Sequence, residues 1–317
     1  LDTYFFSVFG YANFAGAYFT LSAALSIGLW FQHVTQNARL CPAPTALPQD
    51  GEPWFLTHRM LPPAVLSFLG AIASLSRAAI LLSGLVFMVF SVYMLAYVWK
   101  RITPGTRMTL LASLFAVCMM IGVAFAVFKM PSLRKEISDI SVAKVVERVT
   151  GGNMYHARVA NKIFHEYPVF GVGGWGYPQY QLLYLTPEER KGVQVLGGAN
   201  VHNDSLQFLA EQGIVGCGLI LLCVLLLVVP LYWHALKLCR MKPPVDSTAD
   251  AFAALPPPGW LQRFPIVLFA VSVGAGATVC HSLGDLPFRD PAVLLVWVLA
   301  WGCVTGWMPA IKNLSSK

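Results

Sequence analysis

Residues 61–99 read LPPAVLSFLGAIASLSRAAILLSGLVFMVFSVYMLAYVW, with Arg77 as the one charged residue in the stretch. An α-helix rises about 1.5 Å per residue and a bilayer's hydrocarbon core is about 30 Å thick, so this run is too long for one crossing. Ser76-Arg77 interrupts it. A guanidinium, always charged, needs a partner or a wet cavity at that depth. The stretch therefore predicts two antiparallel spans with Arg77 at the hairpin tip.

Working outward, apolar runs recur at Gly10–Phe31, Met108–Phe128, Ile214–Leu236, Phe264–Leu283 and Ala292–Ile311. With Leu61–Ser76 and Ala79–Trp99 they make about seven spans. The 317 residues are 56% hydrophobic and 12% charged, about half the charge of a soluble domain. That balance excludes a soluble enzyme, a disordered tail and a secreted disulfide scaffold. The seven cysteines form no CxxC pair, and neither a disulfide framework nor a cysteine zinc site is supported. The expected fold is all-α: a polytopic transmembrane bundle with a long, mostly helical periplasmic loop.

The net charge of +7 comes from scattered residues, which argues against a nucleic-acid partner. With the hairpin counted as two spans, Arg39, Arg59, Lys100, Arg101, Arg107, Lys237, Arg240, Lys242, Arg263, Lys312 and Lys317 share one side; the short turns opposite hold Arg77 and Arg289. The positive-inside rule places the first group in the cytoplasm. Three parts are expected: spans over 1–128, a periplasmic loop domain over 129–213 that carries the site, and the last spans over 214–317. The chain opens on Leu1 near an apolar run, without a basic segment ahead of it, which predicts a fragment or processed chain with earlier spans preceding it.

Within the outer segment, Lys135–Val149 and Tyr155–Tyr167 have helical spacing, the second ended by Pro168. The turn Pro168-Val169-Phe170-Gly171-Val172-Gly173-Gly174-Trp175-Gly176-Tyr177 is too weak a signal for nucleotide binding, since no strand precedes it. Backbone packing against a neighbouring helix, or room for a sugar beside Trp175 and Tyr177, are both open. A helix is expected to begin near His202–Ser205. Asn203, Asp204 and Ser205 suit its N-cap, and His202 either belongs to that cap or takes a proton from an attacking hydroxyl. Arg77 either snorkels to lipid headgroups or binds phosphate with its fork. Arg158, Lys162 and His165 make one basic helical face. Asp285 and Arg289 are expected to pair and close the last outer turn. No divalent-metal arrangement appears in the outer segment, and no metal or cofactor is expected.

Together these residues resemble the O-antigen ligase and polymerase family of bacterial membrane glycosyltransferases, in its C-terminal ligase domain and adjoining spans. The likeness runs through Phe9-Gly10-Tyr11-Ala12-Asn13-Phe14-Ala15-Gly16, Ser76-Arg77-Ala78-Ala79, the stretch from Arg158 to Gly173, His202-Asn203-Asp204-x-Leu206 with Glu211-x-Gly213-x-x-Gly216, and His281-Ser282-x-x-Asp285-x-Pro287. The chain departs from the family at Ala12-Asn13-Phe14, where many members have Asn-His-Phe. The resemblance implies transfer of a glycan from undecaprenyl pyrophosphate to an acceptor hydroxyl, lipid A-core or similar, at the periplasmic face of the inner membrane. His202 would be the base and Arg77 and Arg158 the pyrophosphate ligands, supported by Asn203, Asp204, Glu211, Lys162, Asp285 and Arg289. A polymerase or a protein O-oligosaccharyltransferase shares this chemistry. A transporter or flippase of lipid-linked glycans predicts polar residues at midplane in several spans, whereas the ionisable residues here cluster at span ends.

Overall fold

The computed structural model describes residues 9–40, 58–99, 154–187, 190, 200–240 and 264–315. The regular elements among them are all helical: α1 (Ala12–Leu40), α2 (Leu61–Ala73), α3 (Arg77–Trp99), α4 (Met154–Glu166), α5 (Tyr177–Tyr184), α6 (Asp204–Arg240), α7 (Ile266–Ser282) and α8 (Pro291–Ser315), with a 3₁₀ turn at Pro287–Arg289. Three segments are long and apolar enough to cross a membrane: Ala12–Thr35, Arg77–Tyr97 and Asp204–Arg240. Leu61–Ala73, Ile266–Ser282 and Pro291–Gly306 are shorter apolar helices. The expected span Met108–Phe128 and the helix Lys135–Val149 lie outside the described residues.

The 61–99 stretch folds as two helices, joined by a turn that the sequence explains. Leu75 takes φ 57°, the Ser74 hydroxyl donates to the Ala71 carbonyl at 2.7 Å, and the Ser76 hydroxyl accepts from Ala79 N at 3.3 Å, capping α3. Arg77 is the first residue of α3 and half-buried.

α1 is the central post, packed along α7, α2 and α3. Helices in lipid gain little from hydrophobic exclusion between themselves, so close approach depends on small residues. At Gly28 an added Cβ would stand 2.1 Å from the Ala270 Cβ, and at Gly16, 2.4 Å from the Ala79 Cβ. Between them Ile27, Phe31, Phe90, Tyr97 and Ala270 fill the interface, and the Tyr93 and Phe269 rings stack at 4.0 Å. A second cluster joins α6, α7 and α8 through Leu231, Ala235, Leu268, Trp297 and Trp301.

The third cluster belongs to an outer unit. Val159, Ala160 and Ile163 of α4 meet Tyr177 of α5, Val201, and Ala210 of α6. With 37 residues, α6 exceeds what about 30 Å of hydrocarbon requires. It breaks at Gly213, whose φ is 62° and ψ −170°. The turns before that break pack on the outer unit, and the apolar run that follows, Ile214–Leu236, is by itself long and apolar enough to cross.

Candidate functional site

One end of the bundle collects the start of α1, the α2–α3 tip, the start of α6, the end of α7 and the 3₁₀ turn. Three contacts tie all of these but the α2–α3 tip together. Asn13 Nδ2 donates to Asp285 Oδ2, Asp204 N donates to the Asp285 carbonyl at 3.2 Å, and Phe288 N donates to Asp204 Oδ2 at 3.0 Å. Gly16, which packs against Ser74, Ser76 and Ala79 of the hairpin tip, is one helical turn along α1 from Asn13. Arg77 therefore belongs to the same end of the molecule.

His202 stands just before α6, which Asn203 caps: Asn203 Oδ1 accepts from Leu206 N at 3.0 Å, while its Nδ2 donates to the Leu283 carbonyl at 2.9 Å. His202 has φ 54°, a conformation that costs a non-glycine residue about 1–3 kcal/mol and persists only where its surroundings enforce it. Its side chain is 38% exposed, with Nδ1 3.5 Å from Oδ1 of buried Asp285. Asp285 also accepts from Tyr11 Oη at 3.4 Å and Leu286 N at 2.9 Å. A carboxylate facing Nδ1 favours the tautomer protonated there, which leaves Nε2 as the basic atom.

On another side stands His156 of α4, its ring centroid 6.4 Å from that of His202. The Tyr177 hydroxyl donates to the His156 carbonyl at 3.2 Å and lies 3.1 Å from His156 Nδ1. With its single proton given to the carbonyl, the hydroxyl oxygen receives Nδ1–H. Burial, and after it the nearby His202, lowers the His156 imidazole to about 4, so it stands neutral beside His202 at neutral pH. Arg158 and Lys162 lie on the exposed face of the same helix.

Behind the site is a buried polar hub. Glu211, wholly buried, accepts from Arg289 Nη2 at 2.5 Å, Trp175 N at 3.1 Å, Tyr177 N at 3.4 Å and Gln207 Nε2 at 3.0 Å. Arg289 lies between the Trp175 and Phe208 rings, 5.0 Å from each, with Nε 4.0 Å from Asp204 Oδ1. The expected Asp285–Arg289 pair is therefore corrected. Burial leaves Arg289 needing a buried carboxylate, which α6 supplies, while Asp285 turns to Asn13 and His202. Tyr177 is corrected as well: it fills the outer core and offers no face to a sugar.

The glycine turn packs backbone to backbone on the α6 break. Val172 N and Gly173 N donate to the carbonyls of Ala210 and Glu211 at 3.1 and 2.8 Å, and Ile214 N and Val215 N donate to those of Pro168 and Val169 at 2.8 and 3.1 Å. Gly171, at φ 65°, has no room for a side chain, since a Cβ would meet the Glu211 carbonyl carbon at 2.4 Å. Of the two readings of this turn left open by the sequence, packing against a helix is realised, and the Trp175 ring stays largely exposed.

His202, Asn203, Asp204, Glu211, Asp285 and Arg289 thus form one connected network, with Arg77 and Arg158 on neighbouring elements. Sequence reasoning missed three members: Asn13, His156 and Gln207. Only Asn13 carried a signal, as part of the quoted Phe9–Gly16 motif.

The O-antigen ligase family model matches residues 62–223, a little over half of the chain. No curated protein matches the chain, nor does any solved structure. The matched segment contains the hairpin, α4, the glycine turn, His202 and Glu211. From this match the chain belongs to the O-antigen ligase family, membrane proteins of a glycosyltransferase-like, polysaccharide-related activity.

Proposed function

We propose that this chain transfers a glycan from undecaprenyl pyrophosphate to an acceptor hydroxyl, lipid A-core or a similar surface glycan, at the periplasmic face of the bacterial inner membrane. The observation that carries the reading is the His202–Asp285 pair: a part-exposed imidazole with Nδ1 against a buried carboxylate, at the end of the bundle that also carries Arg77.

The acceptor oxygen attacks the anomeric carbon, the bond from that carbon to the pyrophosphate oxygen breaks, and undecaprenyl pyrophosphate leaves with the bonding pair. The acceptor proton passes to His202 Nε2. Charge grows on the leaving pyrophosphate, and Arg77 and Arg158, with Lys162 in support, stabilise it; fixed donors of this kind are among the strongest contributions to catalysis. With guanidinium groups in that role the scheme needs no metal. The chain's charge distribution supports the periplasmic side, since Arg77 and Arg289 stand where the short outer turns are expected.

The test is to incubate full-length protein in membranes with undecaprenyl-pyrophosphate glycan and, separately, lipid A-core, a Ser/Thr peptide and a second donor molecule. Glycosylated lipid A-core is expected. Donor affinity and turnover should both fall in Arg77→Ala and Arg158→Ala; unchanged values in both would remove the pyrophosphate assignment.

A further inference from the structure

The outer unit carries large apolar side chains that its own core does not use. Val169 is 50% exposed, Phe170 73% and Leu183 73%. Water is a poor environment for such a group, and their position names a better one. Val169 and Pro168 are bonded through their carbonyls to Val215 N and Ile214 N, so the turn sits where the apolar run of α6 begins. Ile214 is itself 59% exposed, and Val215, Leu219, Leu222 and Leu226 continue that exposed face along the helix. In a membrane protein this face meets lipid, and Val169-Phe170 extends it sideways without an intervening charge. Leu183 is one turn from Tyr180, whose ring packs edge-on against Tyr167 at 5.7 Å, so α5 borders the same turn. The exposed polar residues of α4, Arg158, Asn161, Lys162, His165 and Glu166, precede it along the helix.

We propose that the Val169–Phe170 turn inserts into the bilayer at the boundary between headgroups and acyl chains, a lipid contact that anchors the outer unit beside its own span. An aromatic ring at this boundary combines apolar burial with a tolerance for the polar headgroup layer. The glycine turn thereby serves two surfaces: its backbone faces α6 and its side chains face lipid. This inference needs the chain to be a membrane protein but does not need the proposed reaction.

The test is collision accessibility of a nitroxide attached at Phe170→Cys, and in a separate protein at Asn161→Cys, each in full-length protein whose native cysteines are replaced by serine or alanine. The protein is reconstituted in vesicles of phosphatidylethanolamine and phosphatidylglycerol. At position 170 oxygen should be favoured over a water-soluble nickel chelate, with the ratio reversed at 161 by several-fold. Equal preference for the chelate at both positions would overturn the proposal. So would protection of position 170 from both reagents, the outcome for a surface covered by a second copy or another protein. Phe170→Leu, which keeps the apolar group, and Phe170→Asp, which does not, provide a second readout. Protease cleavage of the outer unit in vesicles should rise several-fold for Asp and stay unchanged for Leu; equal cleavage of both would also overturn it.

Discussion

The α1–α7 seam and the seat of the outer unit on α6 are both tight interfaces, held by opposite means. In the seam, Gly28 lets the α7 backbone approach at Ala270, and beside it Tyr93 of α3 stacks on Phe269 of α7. At the seat, the glycine turn is joined by four backbone hydrogen bonds and by Trp175 N and Tyr177 N, which donate to the buried Glu211 carboxylate. The difference follows from the surroundings. Within lipid a helix satisfies its own backbone, so contact is decided by shape. At the broken helix of α6 the freed amides and carbonyls need partners, and the turn provides them. The seam therefore places the spans, and the seat places the chemistry relative to them.

The largest expected effect separates chemistry from structure. His202→Ala removes a part-exposed side chain that neither interface uses, so glycan transfer in membranes should fall by about 10² to 10⁴ with the thermal midpoint retained. Transfer at the unmodified rate would remove His202 as the base. Glu211→Ala attacks the seat instead. It leaves Arg289 buried without its closest carboxylate, and breaking such a pair costs about 3–5 kcal/mol. A lowered unfolding midpoint in detergent is expected, with faster proteolysis of the outer unit; an unchanged midpoint would mean that the hub is not what holds the seat.

Smaller effects compare the two interfaces directly. Gly171→Ala places a Cβ 2.4 Å from backbone at a positive φ, where neither side can yield easily, so a loss toward the upper end of about 1–3 kcal/mol is expected. Gly28→Ala meets the Ala270 Cβ at 2.1 Å in the seam, which only separation of the two helices relieves, so a loss of about 1–3 kcal/mol is expected there as well, without the added strain of a positive φ. Equal midpoints for the two variants would abolish the distinction. The smallest effect is one of pH. The His156 imidazole is lowered to about 4 in the folded protein from an ordinary 6.5. Between those values the unfolded chain binds the extra proton and the folded one does not, so stability falls as pH drops through the window. His156→Gln should flatten that slope in midpoint-against-pH measurements, and an identical slope would show that the histidine does not titrate this way.

The fold was legible where a single segment decides it. Arg77 in the 61–99 stretch marked the hairpin, and Tyr155–Tyr167 anticipated α4 to within a residue at each end. The site was legible as residue types near His202, while its pairings were not. Asp285 and Arg289, four residues apart, invited pairing by proximity, yet Arg289 reaches Glu211 and Asp285 reaches Asn13, 272 positions away. His156 carried no signal, because a histidine on a helix with basic neighbours reads as a solvated one until Tyr177 is seen to cover it.

What the sequence determined by itself is the solvent of each segment: apolar runs for lipid, a charged minority at their ends, glycines where backbone must turn. Transfer free energy acts residue by residue, so it can be read from the chain alone. Which carboxylate faces which cation was decided only by the tertiary structure. Coulomb and hydrogen-bond terms depend on separation and burial, and both are set at this end of the bundle by helices that meet from distant parts of the chain.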